Sequence, residues 1–211
     1  MPTWSSIGAI GDIHAEDTRL EAVLRFFADQ QVEKVLAVGD LVDGPGDPLR
    51  VCSLLEQHGV EVVAGNHDRW LLENPARSTL ETQAQQERLR AFLEPLPPTR
   101  RYETPAGPLL LCHGMGDNDM NGVTVDDYGY GLENNDELQG LLRAKEFRYV
   151  ICGHTHRRMV RDFGGLTVIN AGTLLGQQDP CIALCDFSEA SVRFYSITPG
   201  GDIVESTRHE L

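Results

Sequence analysis

The chain has 211 residues, enough for one substantial domain and short for two. It is 41% hydrophobic with 21 glycines, an ordinary globular composition and unlike a disordered or collagen-like chain. A formal charge of −14 runs against the basic stripe that a nucleic-acid backbone demands, which argues against a polynucleotide partner.

Ser5 to Gly11 is a short apolar run ending in glycine, which predicts a buried strand. Leu20, Val23, Leu24 and Phe27 then fall at helical spacing, with Asp17 or Thr18 as N-cap. Lys34 to Gly39 reads as the next strand. Asp47-Pro48 offers a capping side chain and a proline at the first helical position, and Gly59 closes that helix. Val60 to Ala64 forms a third strand. Ser78 and Glu81 have capping-box spacing and open a helix that ends near Pro95. Leu109 to Cys112 and Tyr149 to Cys152 are further strands, separated by a glycine- and acid-rich loop and a helix around Leu138, Leu141 and Leu142. From Met159 onward strands dominate, with turns at Gly164-Gly165, Ser188-Glu189 and Pro199-Gly200-Gly201. The order β-α-β-α-β, then mixed, then β-rich, predicts one α/β domain over 1–211.

Polar motifs follow these strands. Asp12-x-His14 comes after the first, Gly39-Asp40-Leu41-Val42-Asp43-Gly44 after the second and Gly65-Asn66-His67-Asp68 after the third. His113 follows Leu109 to Cys112, and Gly153-His154-Thr155-His156 follows Tyr149 to Cys152. In open α/β sheets, ligands bind in the crevice outside the carboxyl ends of strands, so these distant segments converge on one place. Aspartate, asparagine and imidazole are the donors suited to borderline divalent metals. Five of the seven histidines lie in this set, enough to help fill two coordination spheres and leave one for chemistry. Alone, Asp12-x-His14 reads as a turn or cap, His113 as a strand-end histidine with no task and Gly153-His154-Thr155-His156 as a polar loop. Together they point to a binuclear metallohydrolase.

The pattern D-x-H, G-D-x-x-D, G-N-H-D, an isolated H-G and G-H-T-H, from Asp12 to about Thr173, resembles the calcineurin-like metallophosphoesterase superfamily. The resemblance implies an α/β fold, a four-layer αββα sandwich of two mixed β-sheets, with the C-terminal β-run supplying the second sheet. It implies one metal held by Asp12, His14, Asp40 and His156, and another by Asp40, Asn66, His113 and His154. The metals would be Mn or Fe, with Zn, Ni or Co as further candidates. The implied reaction is hydrolysis of a phosphodiester or phosphomonoester by in-line attack of a hydroxide bridging the metals. His67 would act as acid and Asp43 would orient it. The expected substrate is a small phosphate ester, a nucleotide among the candidates.

One departure bears on substrate class. Protein phosphatases and dinucleoside tetraphosphatases usually follow the second aspartate with an arginine that grips phosphate, and here that residue is Gly44. That stretch, and Ile169-Asn170-Ala171-Gly172-Thr173, resemble the small phosphodiesterase-like members, although many of those carry cysteine where His67 stands. A phosphoprotein phosphatase or dinucleoside polyphosphate hydrolase is therefore the alternative, and a non-catalytic metal-binding scaffold the third reading. Arg69, Arg157 and Arg158 adjoin the motifs and could reach a phosphate, or could equally be solvated surface charges.

The five cysteines lie mostly within apolar runs, which predicts reduced, buried thiols in a cytoplasmic protein rather than disulfides. Met1 leads into a polar start with no signal-peptide pattern, and no apolar stretch approaches a membrane span. His58 and His209 have no motif around them and are expected at the surface. The loop from Asp117 to Glu137 is expected to be solvated and mobile at its glycines, with Tyr128 and Tyr130 available to stack on a base.

Overall fold

The computed structural model describes residues 3–211; Met1, on which the reading of a leaderless start rests, lies outside them. Strands β1 (Ser6–Ile10), β2 (Lys34–Ala37) and β3 (Glu61–Val62) run parallel, linked by helices α1 (Asp17–Asp29) and α2 (Pro48–Gln57). Helix α3 (Asn66–Glu73), a 3-10 turn (Pro75–Arg77) and α4 (Gln83–Leu93) follow. Then come β4 (Thr99–Thr104), β5 (Gly107–Cys112), the short α5 (Tyr130–Glu133), α6 (Asp136–Ala144) and β6 (Tyr149–Cys152). The chain ends in β7 (Met159–Asp162), β8 (Thr167–Asn170), β9 (Cys181–Asp186), β10 (Ser191–Ile197) and β11 (Ile203–Glu210).

Two mixed sheets result, ordered β11-β10-β9-β1-β2-β3 and β4-β5-β6-β8-β7. The final β-run is therefore divided. Only β7 and β8 complete the second sheet, while β9 pairs antiparallel with β1 and carries β10 and β11 onto the first. Alternation along the strands explains the layering. Ile7, Ala9, Leu36 and Val38 face Leu109, Leu111, Ile151 and Ile169 between the sheets. Ile10 and Ala37 meet Leu20, Leu24, Phe27 and Leu55 from the helices on one outer face. Leu110, Cys112, Val150 and Cys152 meet Leu138 on the other. A fully buried side chain of this kind contributes about 1.5–3 kcal/mol, so β5, buried on both faces from Leu109 on, anchors the stack.

Local signals held where a capping side chain was explicit. Asp47 Oδ1 accepts from Leu49 N–H at 2.8 Å with Pro48 at the first helical position. Three expectations need correcting, and two elements are additional. Helix α1 begins at Asp17 after Glu16, with no side-chain cap, because the Glu16 carboxylate is taken by Arg19 and by the Gly176 N–H. Helix α4 opens at Gln83, not Ser78, because Thr82 and Gln85 form the capping box that Ser78 and Glu81 do not. The third strand spans only Glu61–Val62, since the Ala64 N–H turns to the Pro97 carbonyl. Strand β4 and helix α3 are elements the sequence does not announce. The first is a largely polar edge strand, and the second opens on four polar residues.

All five cysteines are free and buried. His58 and His209 are exposed. Among the described residues, no helix is long and apolar enough to cross a membrane.

Candidate active site

The motif loops meet above the carboxyl ends of β1, β2, β5 and β6. Asp12 continues β1 into a bridge with Thr173, whose Oγ1 donates to the Asp12 carbonyl at 2.9 Å. The N–H groups of Ile13 and His14 both donate to the Asp40 carbonyl, which locks the first two loops together. Asp40 Oδ1 in turn accepts from the His67 N–H at 2.8 Å, at the N-terminal end of α3. Asp68, buried one turn in, accepts from Leu41 N–H and Gly65 N–H at 2.8 and 2.9 Å. It therefore ties α3 to the Asp40 loop. Nine non-glycine residues have positive φ among the described residues, and five of them are His14, Asp40, Asp43, His154 and His156. Backbone strain of this kind persists only where surrounding structure enforces it, and it clusters at functional sites.

The side chains form two adjoining groups. Asp12, His14, Asp40 and His156 each offer one atom such that all lie within 4.8 Å of one another. Asn66 Oδ1 lies 2.9 Å from His113 Nε2 and 3.0 Å from His154 Nδ1. Asp40 joins the two: its Oδ2 is 3.7 Å from His14 Nε2 and 3.5 Å from His113 Nε2. The seven residues expected as ligands are thus within one cluster, with Asp40 at its centre.

The imidazoles are oriented from behind. Nδ1 of His14 donates to the Val42 carbonyl, that of His113 to Val38, and that of His156 to Gln178 Oε1. Each ring then presents an Nε2 lone pair to the site. The Nε2 atoms of His14 and His156 lie 3.1 Å apart. Two lone pairs at that distance repel unless a cation lies between them. Burial gives the same reading in the titration of the groups. It lowers His14 to about 4 and His113 to about 3, keeping both neutral. It raises Asp12 to about 7, and burial with the neighbouring Asp12 and Asp68 charges raises Asp40 to about 10. Carboxylates so desolvated ionise readily only beside positive charge. This donor set, two carboxylates, one amide oxygen and four neutral imidazoles, fits borderline divalent metals.

His67 stands beside this cluster, its Nε2 4.0 Å from Asp40 Oδ2 and its Nδ1 donating to Asp43 Oδ2 at 2.8 Å. Burial pushes the Asp43 carboxyl up, but Arg77 and His67 outweigh it and hold the group below its ordinary range. Arg77, which has no motif around it in the sequence, donates to the same Asp43 oxygen. The arginines chosen for their proximity to the motifs are engaged elsewhere. Arg69 grips Asp119 through Nε and Nη2, Arg157 pairs with Asp126, and Arg158 with Asp179. Gly44 has a steric cause, because a Cβ there would overlap the His14 carbonyl oxygen. At Gly153 a Cβ would crowd the Asp12 carboxylate.

The loop from Asp117 to Glu137 is stitched by side chains. Asn118 and Asn121 both donate to Glu137, and Asn121 also donates to Asn135. Tyr128 and Tyr130 project into solvent, 79% and 80% exposed.

A sequence model of the calcineurin-like phosphoesterase superfamily domain matches residues 6–190. Serine/threonine-protein phosphatase 1 of Salmonella typhimurium is 26% identical over 201 residues, covering 83% of this chain and 90% of its own. Among solved structures, the E. coli phosphoesterase YfcE superposes with a TM-score of 0.59 at 18% identity, covering 97% of this chain and 98% of YfcE. A metallophosphoesterase from Sphaerobacter thermophilus gives a TM-score of 0.63 at 22% identity, covering 93% and 89%. These structural likenesses show the fold, two mixed sheets flanked by helices. With the family model matching most of its length, the chain belongs to the calcineurin-like phosphoesterase superfamily, a class tied to metal-dependent phosphoester hydrolysis.

Proposed function

We propose that this chain is a binuclear metal-dependent phosphoesterase, one domain over 1–211, acting on a small phosphodiester or phosphomonoester. The observation that carries the reading is the paired donor cluster centred on Asp40 with His67 at its edge. Asp12, His14, Asp40 and His156 would hold one cation, and Asp40, Asn66, His113 and His154 a second. When bound, such a pair supplies an acidified water and charge stabilisation for a phosphoryl group in flight. Mn or Fe suits the mixed oxygen and nitrogen donors, and selection in cells follows availability as much as affinity.

The chain's own groups do the rest. Neutral Asn66 limits the negative charge that an incoming phosphate must face. His67 holds a proton at Nε2 for the leaving oxygen, and Asp43 keeps Nδ1–H in place. The five buried thiols fit a reducing compartment, so we place the protein in the cytoplasm.

A second reading is a phosphoprotein phosphatase, which the similarity to the Salmonella enzyme favours. Position 44 speaks for the first reading: it bears no arginine, and the His14 carbonyl leaves no room for one. The test is turnover of bis-p-nitrophenyl phosphate, p-nitrophenyl phosphate, a nucleotide panel and a phosphopeptide by metal-stripped protein with and without Mn²⁺. Mn-dependent hydrolysis of the small esters, lost in Asp40→Asn, is the expected result. A phosphopeptide rate far above all others would reverse the ranking. Two tightly bound ions with no turnover would favour the scaffold reading.

A further inference from the structure

A closed ring of four side chains flanks the cluster. Asp43 Oδ2 accepts from His67 Nδ1 at 2.8 Å and from Arg77 Nη2 at 2.5 Å. The Arg77 guanidinium lies over the Trp70 ring, 5.3 Å from its centroid. Trp70 packs back on His67, with ring centroids 4.8 Å apart. Each member touches two others, and the ring draws on the loop after β2, helix α3 and the 3-10 turn.

The arrangement assigns different faces of His67 to different tasks. Nε2 points toward Asp40, whereas Asp43 and Arg77 stand behind the ring on the Nδ1 side. Arg77 is thus placed to act on the histidine's support rather than on a phosphoryl group beside Asp40. A carboxylate with one hydrogen-bond partner can swing, and a second donor on the same oxygen fixes its angle. A planar guanidinium can do this while stacking on indole, a combination that an ammonium group matches poorly.

We propose that Arg77 is a positioning residue for phosphoester hydrolysis. It pins Asp43 and, with Trp70, fixes the His67 ring so that Nε2 meets the leaving oxygen. The proposal rests on the reading of His67 as proton donor. It also makes Arg77 a specificity determinant, because esters with basic leaving groups depend most on that proton.

The experiment compares phenyl and p-nitrophenyl esters with Mn-loaded wild type, Arg77→Ala, Arg77→Lys and His67→Ala. A p-nitrophenolate leaves readily unprotonated, whereas a phenolate gains more from an acid. Arg77→Ala should lower kcat for the phenyl ester about tenfold more than for the p-nitrophenyl ester, in the range that acid catalysis commands. KM should stay within about twofold, and Arg77→Lys should recover only part of the loss. Equal losses on both esters, or a raised KM with kcat intact, would overturn the positioning role. His67→Ala separates the two claims: if it shows no leaving-group dependence, the donor reading fails on its own. Arg77 is then judged by ¹⁵N NMR of His67, where Arg77→Ala should weaken the bonded Nδ1–H signal, and an unchanged spectrum would refute the proposal.

Discussion

His14 and His156 hold their Nε2 atoms 3.1 Å apart, although each ring is fixed from behind by a carbonyl oxygen that takes its Nδ1 proton. Residues separated by 142 positions have been brought to a distance at which two facing Nε2 lone pairs, each ring keeping its proton on Nδ1, repel unless a cation lies between them. The same cation would offset the buried Asp12 and Asp40 carboxylates. Fold and candidate metal site are therefore one problem, because the loops that carry these side chains also cross-link the sheets, Asp12 to Gly172 and His113 to Val38.

Metal binding should depend on both groups of donors. His14→Ala should remove one ion and His113→Ala another, whereas Asp40→Asn should weaken both. Elemental analysis after gel filtration in Mn²⁺ checks this, with two ions per chain expected for wild type. Outer partners should matter less: Gln178→Ala, which frees the His156 ring, should cost about 10- to 100-fold in affinity.

The metal-free protein should lose stability as pH rises. Asp12 is raised to about 7 and Asp40 to about 10, both above the ordinary value of 3.8. The folded state then binds more protons than the unfolded chain, so stability falls as pH climbs through about 7 toward about 10. His14 and His113, lowered to about 4 and about 3, act in the opposite sense, but only below their ordinary 6.5. Thermal melts of stripped protein should show Tm falling from pH 7 to pH 10. Added Mn²⁺ should raise Tm and flatten that slope. A Tm that rises over the same interval would contradict the charge balance described.

Much of this site was legible in the sequence because its residues follow strands that apolar runs mark clearly. Asp12, Asp40, Asn66, His113 and His154 each lie just beyond such a run, and the fold brings those ends together. The ring behind His67 was not legible, since Arg77 reaches Asp43 from a turn 34 positions away and Trp70 sits on a helix of eight residues that opens on four polar ones. Nor was Gln178, whose contact with His156 crosses a loop between β8 and β9. Strand β4 escaped for a related reason: its residues serve an edge, where polarity is tolerated and alternation is weak. The course of the last strands depended on pairing partners, which composition does not encode.

Gly44→Ala should be costly for so small a change. Its Cβ would overlap the His14 carbonyl oxygen, so the loop must shift and carry a proposed ligand with it. Overpacking of this kind costs about 1–3 kcal/mol, and activity should fall further than stability alone accounts for. Urea melts and Mn-dependent turnover, compared with an exposed control such as Gly200→Ala, check the claim.

Asp68→Ala should destabilise by about 1–3 kcal/mol, because the N–H groups of Leu41 and Gly65 would lose a buried acceptor. Asp68→Asn keeps one acceptor oxygen and should recover part of the loss. If both variants melt like wild type, the cross-link between α3 and the Asp40 loop is not what holds His67 in place.

Asp40 would join two cation sites, and everything proposed for this chain turns on that bridge. Mn²⁺ titration followed by low-temperature EPR addresses it most directly. Two Mn²⁺ per chain, with a spin-coupled spectrum that disappears in Asp40→Asn, is the result this structure predicts. A single uncoupled ion, or two ions with no coupling in the wild-type protein, would contradict it.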